Sequence, residues 1–335
     1  MIKSNKKPSF ALVLCGLVAA PPALAQPDLY GKLSLSLDNS RDANGDKIWS
    51  LQDQASRLGV KGKVELDGDG DLKAVYQYEV SMNPSRSGKP LFGLRNSFAG
   101  LEGGFGQLIG GTFDTPFKTA QGKVDLFNDT SLDITSYLAG EVRHDQSVQY
   151  TTPEMGGLTA KIDWMPAQNA ADDDGLSAAL SYKRDALEMA VAATQKVAGD
   201  GGIVTDKADP LDAVRVMVSL AATESLKLGV MAQQAEGVDA NKSRETGWLV
   251  SAAYSLDRVT LKAQAGQGLA DKDAAGNASD AKQEQMALGV DYKLAKNVTA
   301  FSYAGVMRNS DGADGTAVDE TRSDYNVGLG LSLSF

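Results

Sequence analysis

Apolar side chains recur at every second position through segment after segment of this chain, and the connections between those segments take turns at being short and long. Near the N-terminus Leu29, Leu33, Leu35 and Leu37 alternate with Lys32, Ser34, Ser36 and Asp38. In the next segment Leu58, Val60, Val64 and Leu66 alternate with Arg57, Lys61, Lys63 and Glu65, and the last places Tyr325, Val327, Leu329, Leu331, Leu333 and Phe335 on one face. A period of two marks a β-strand with unlike faces. Connections of about two to six residues follow every other strand. The intervening ones, such as residues 39–50, 197–212, 235–245, 269–283 and 309–322, are long and rich in Asp, Gly and Ala. In an up-and-down barrel every second connection lies at the same rim, so this regularity predicts one rim of short turns and one of long loops.

The other face of nearly every strand carries Ser, Gly, Gln, Lys and Asp. A dry core cannot take so many unpaired charges, so that face must meet water. Hydrophobic residues make up 42% of the chain and mean hydropathy is −0.23, values that suit a secreted all-β protein equally well, because alternation dilutes the apolar signal of a membrane barrel. The two rims and the strand lengths decide between them. Several strands approach the roughly 9 to 11 residues that a tilted strand needs to cross a bilayer. The predicted fold is therefore all-β, a transmembrane up-and-down antiparallel β-barrel of about 16 strands. It is closed because open sheet edges cannot be hydrogen-bonded in hydrocarbon, and a barrel of this size leaves an aqueous channel. Aromatic residues at strand ends, Tyr30, Trp49, Trp164, Tyr182, Tyr254, Tyr292 and Phe335, are expected to form interfacial girdles.

Residues 1–25 read as a secretory signal peptide: Lys3, Lys6 and Lys7, an apolar run from Phe10 to Ala20, and the small-residue site Ala23-Leu24-Ala25. Cys15 does not mark a lipoprotein, since Leu14 stands where a small residue is needed. Residues 26–335, the expected pore domain, then hold no cysteine and no disulfide. Without the three leader lysines the net charge of −10 becomes −13, an acidic balance that argues against nucleic acid as a partner.

Between the strand-like runs GQLIGGT and SVQYTT lie the residues from Phe113 to Arg143. A structureless connection of roughly thirty residues inside a compact domain is uncommon and usually functional. This one is expected to fold into the lumen, narrow it, and set Asp114, Asp125, Asp129 and Asp133 opposite basic side chains of the wall. Such opposed charges would act on permeating ions.

LYGKL, SRLGVKG running into GDGDLKAVYQYE, RNSFAGLEGGFGQLIGG, VRHDQSVQYTTP and the terminal Phe335 resemble the Gram-negative general porins of the proteobacterial outer membrane. The resemblance covers the first half of the mature chain well, and the alternation and last strand carry it through the second. It implies a sixteen-stranded barrel, a homotrimer set among outer-membrane lipids and lipopolysaccharide, and passive conduction of ions and small hydrophilic solutes. It also implies an inward third loop whose acids face basic wall residues, which by local motif are Arg57, Arg95 and Arg143. Lys32 and Lys61 share the polar face with Arg57 and join the wall set. Two departures stand out: the strand before the loop ends in Gly111-Thr112 rather than Gly-Arg, and the loop lacks a Pro-Glu-Phe-Gly run.

Other readings compete with a general pore. A substrate-specific channel uses the same architecture, and an adhesive or structural barrel would have a plugged lumen. A barrel enzyme would have to use His144, the only histidine, as its base. The turn Asp67–Asp71 offers alternating carboxylates, but an EF-hand demands further ligands and a downstream glutamate, so neither metal nor cofactor is expected.

Overall fold

The computed structural model describes residues 27–41, 45–66, 71–85, 90–169, 173–199, 201–203, 210–238, 243–272, 279–310 and 321–335. The leader assigned to residues 1–25 and positions 67–70 of the acidic turn lie outside the described residues. The strands are β1 (Asp28–Arg41), β2 (Lys47–Asp53), β3 (Arg57–Glu65), β4 (Lys73–Met82), β5 (Phe92–Leu94), β6 (Ser97–Gly103), β7 (Gly106–Asp114), β8 (Arg143–Thr151) and β9 (Leu158–Met165). They continue as β10 (Gly175–Arg184), β11 (Leu187–Ala198), β12 (Pro210–Ala221), β13 (Leu226–Gly237), β14 (Arg244–Leu256), β15 (Val259–Lys272), β16 (Lys282–Ala295), β17 (Val298–Ser310) and β18 (Thr321–Ser334). No helix among the described residues is long and apolar enough to cross a membrane.

Neighbours pair antiparallel throughout, and β18 returns to β1 from Lys32 opposite Ser334 to Ser40 opposite Asn326, which closes the barrel at sixteen strands. The two additional segments, β2 and β5, arise where bulges interrupt the ladder. Both β2 and β3 pair with β1, Asp53 opposite Leu35 and Arg57 opposite Lys32, so three residues face two. Ala55 takes up the excess at φ 53°. Both β5 and β6 pair with β4, Leu94 opposite Val80 and Phe98 opposite Gln77, so Arg95, Asn96 and Ser97 face Tyr78 and Glu79. A third irregularity in the β7–β8 ladder sets Thr112 against Asp145 and Gln146, the latter at φ 53°. Bulges bend a strand and re-aim its side chains; each of these lies within three residues of a wall arginine proposed above.

The alternation divides the strands as expected. On β12, Val214, Val216 and Val218 are exposed while Ala213, Arg215 and Met217 are buried. An outward band of Val and Leu around an interior that keeps Ser34, Ser36, Asp38, Gln233 and Gln264 is inverted for a protein in water and right for one solvated by lipid. Several predicted long loops are shorter than drawn. β1 runs on to Arg41 and β2 begins at Lys47, so much of the 39–50 loop is a paired hairpin. Its polar side chains hid the ladder because neither face there is apolar. Tyr30 is a second correction. It has the parity of Lys32, and its hydroxyl donates to Glu79 Oε2 at 2.9 Å while Lys61 Nζ stands 5.2 Å from its ring centroid. It is a lumenal side chain, not part of an outer girdle.

Candidate functional site

The segment between β7 and β8 enters the lumen through a single helical turn, α1 (Pro116–Thr119). Thr115 caps it by accepting from Lys118 N at 3.2 Å, and Pro116 occupies the first turn, where no amide is missed. Farther on, Asp133 caps a 3₁₀ turn, Ile134–Ser136, by accepting from Thr135 N at 2.9 Å. Along the segment Phe117, Val124, Phe127, Leu132, Ile134 and Leu138 are almost wholly buried. They pack on lumenal Ala190, Ala192, Met217, Met231 and Leu249 and, for Phe127 and Leu132, on Ala287 and Tyr303. Burial of each large side chain contributes about 1.5–3 kcal/mol, which is why this stretch leaves the rim for the channel interior. Glycines in the wall admit it: a Cβ on Gly266 would collide with the Tyr137 ring, and one on Gly305 would lie 2.6 Å from Leu132.

Polar clamps hold the base and tip. Arg215 is completely buried and gives Nη1 to Glu141 Oε1 at 2.6 Å and to the Phe117 carbonyl at 3.3 Å. Its Nη2 donates to Gln233 Oε1 at 2.6 Å, and its guanidinium lies 4.3 Å from the Phe117 ring centroid. Burial pushes the Glu141 carboxyl upward, and the positive charge of Arg215 opposes that rise. At the tip, Ser131 Oγ donates to Asp38 Oδ2 at 3.4 Å; the same oxygen receives the Tyr303 hydroxyl at 2.7 Å.

The apolar back of the loop thus covers the wall from β10 to β17, and its charged side chains turn toward Arg57 and Arg143. Arg95 Nε donates to Glu79 Oε1 at 2.6 Å, and Arg57 Nε lies 3.8 Å from Glu79 Oε2. Loop and wall meet where Asp129 Oδ2 stands 3.5 Å from Lys32 Nζ and 4.0 Å from Arg57 Nη1. Arg143 Nη2 lies 2.9 Å from Asp114 Oδ1, Lys118 Nζ lies 3.3 Å from the same oxygen, and Asn96 bridges the pair by accepting from Arg143 Nε and donating to Asp114 Oδ2. Beside Asp129 and Asp133 a cavity of about 430 Å³ opens, bounded by Gln52, Asp53, Asn83 and Arg95.

Not every expected acid faces a basic wall residue. Asp125 is buried within the loop, where it accepts from Phe127 N, Ile134 N and Gln264 Nε2, and burial together with the charge of Asp133 pushes its carboxyl up to about 7. Asp133 divides its oxygens between the 3₁₀ cap and the amides of Asn128 and Asp129. Lys61 sits four residues from Arg57 toward the short turns, over Tyr30. The His144 ring lies within hydrogen-bond reach of groups in its own bulge, the Asp145 carbonyl and Ser147 Oγ. Glu79 is the wall residue that period analysis passed over, although it has the polar parity of Lys73 and Gln77.

The profile of the Gram-negative porin family matches residues 10–314 of this chain. The major outer membrane protein P.IB of Neisseria sicca is 26% identical over 355 residues, spanning 93% of this chain and 96% of that protein. Among solved structures, the anion-selective porin from Comamonas acidovorans superposes with a TM-score of 0.73 at 18% identity, covering 93% of this chain and 100% of the other. OmpT of Vibrio cholerae in its trimer form gives 0.66 at 18% identity, with 93% and 99% covered. At such identities these two likenesses speak for the fold alone. The closed barrel with its water-facing interior and the family match over nearly the whole chain agree: this protein belongs to the Gram-negative porins, as a diffusion channel of the outer membrane.

Proposed function

We propose that residues 26–335 are the pore unit, that residues 113–143 constrict it, and that the passage between this loop and β1–β8 selects among ions and small hydrophilic solutes. The observation that carries the reading is the one-sided seat of the loop. Its apolar side chains are spent on the β10–β17 wall, so the charged groups that remain line the opposite side. Lys32, Arg57, Arg95, Arg143 and Lys118 there stand against Glu79, Asp114, Asp129, Asp133 and Asp53. Bases on the wall and acids on and beside the loop set up a transverse field that acts on permeating ions, strongest at low salt, where screening is least. Arginine suits a permanent field because it keeps its charge when partly desolvated. Three copies of the barrel, as in the trimer form of the Vibrio protein, are the proposed assembly, with outer-membrane lipid and lipopolysaccharide around them.

The test is reconstitution of the purified protein in planar bilayers and in liposomes. Discrete conductance steps, often in threes, and swelling in small sugars that falls off with sugar size are expected. A pure, folded protein giving neither steps nor swelling overturns the proposal.

A further inference from the structure

On the short-turn side of the loop the lumen contains a second recess, of about 330 Å³, whose floor is one register row across five strands. Lys183 of β10 pairs with Glu188 of β11, Glu188 with Ser219 of β12, Ser219 with Gly229 of β13, and Gly229 with Ser251 of β14. Every second residue on these strands faces the lumen, so the row shares that face. The loop forms the roof. A Cβ on Gly229 would lie 2.8 Å from Val124, and one on Gly122 would lie 2.9 Å from Met217, which shows how tightly loop and wall close at this point.

Charge in the recess is unbalanced. Lys123 comes down from the loop, and Lys183 and Lys227 come from the wall. Glu188 is the one carboxylate among the described residues lining it, and it is engaged by Lys183 at 3.4 Å. Lys123 and Lys227 form no ion pair among the described residues. Elsewhere on the short-turn side three lysines are compensated, Lys63 by Glu102, Lys73 by Glu65 and Lys262 by Asp291, and Lys61 lies over the Tyr30 ring. Two uncompensated ammonium groups in a recess with low-dielectric walls concentrate anions, and the Ser219 and Ser251 hydroxyls add neutral donors beside them.

We infer that this recess is a binding subsite for small multivalent organic anions, such as compact di- and tricarboxylates, held after passage through the constriction. Val124 and Ala253 at its edge suit a short carbon skeleton between the charged groups. The inference rests on the chain forming a water-filled pore.

Single-channel current in KCl with citrate added to either side tests it. Citrate is expected to lower the current of the wild type in a saturable manner. Lys123→Gln together with Lys227→Gln should weaken the apparent affinity about thirtyfold, the loss expected for two unit-charge contacts at near-aqueous dielectric. Lys63→Gln together with Lys73→Gln removes the same charge from the opposite wall and should leave the affinity within about twofold. Equal weakening by both pairs reduces the effect to the general potential of the lumen and overturns the subsite, as does a wild type that citrate leaves unblocked. Steps in KCl without citrate report the pore separately; their absence would remove the pore reading itself.

Discussion

Arg215 and Glu141 form a completely buried ion pair, 2.6 Å between Nη1 and Oε1, that joins the centre of β12 to the returning limb of the lumenal loop. Two charges taken out of water are costly, and what offsets that cost here is the number of further bonds: Gln233 and two loop carbonyls on Arg215, and Gln121 on Glu141. Breaking such a pair from one side strands a buried charge. Arg215→Ala should destabilise the seated loop by about 3–5 kcal/mol, whereas Arg215→Met with Glu141→Leu should cost far less. Trypsin cleavage after Lys118 and Lys123, quantified beside thermal unfolding by circular dichroism, reads the two variants. Equal protection of Arg215→Ala and wild type would remove the clamp.

Glu79 stands between Arg57 and Arg95 and neutralises much of their field. Glu79→Gln keeps the shape and frees both guanidinium groups. The reversal potential in a KCl gradient should then move toward chloride, by more at 0.1 M than at 1 M salt because the Debye length shrinks from about 10 Å to 3 Å. A change toward potassium contradicts the assignment.

Gly266 leaves room for the ring of Tyr137. Gly266→Ala should overfill that contact at a cost of about 1–3 kcal/mol, lifting the loop without disturbing the outer face of β15. Larger current fluctuations in single-channel records, with barrel content by circular dichroism unchanged, are the expected signs. A quiet channel like the wild type would show that the loop seats without this gap.

The proton on Asp125 stabilises the folded loop, because burial and Asp133 raise its carboxyl above the ordinary range, to about 7. That stabilisation is fully present below the ordinary carboxylate range and is lost as pH rises through about 7. Loop fluctuations should therefore grow between pH 6 and 8 in the wild type and stay level in Asp125→Asn, whose amide cannot titrate. Flicker in Asp125→Asn that follows pH as in the wild type would place the titrating group elsewhere.

Much of the architecture could be read from the chain because membrane strands must alternate and rims must take turns. The inward loop was legible from its length alone. The breaks in β2–β3 and β5–β6 were not, since an extra residue such as Ala55 shifts the parity while each flank keeps its own period. Those breaks set Arg57 and Arg95 beside Glu79, a juxtaposition that no regular period contains. Asp125 was misplaced for another reason: an acid in an irregular segment reads the same whether it caps amides or faces water. Arg215 did leave a sign. A single charge in the otherwise apolar run AVRVMV must find a buried partner, and Glu141 is the acid that the loop supplies.

Reversal potential in a KCl gradient at low salt, for the wild type and for Arg57→Ala, Arg95→Ala and Arg143→Ala, tests the central claim most directly. The passage beside β1–β8 predicts a stepwise shift toward potassium, relative to the wild type, as each arginine is removed. Channels that open normally while their selectivity ignores all three arginines would contradict it, and would put the constriction on another part of the barrel.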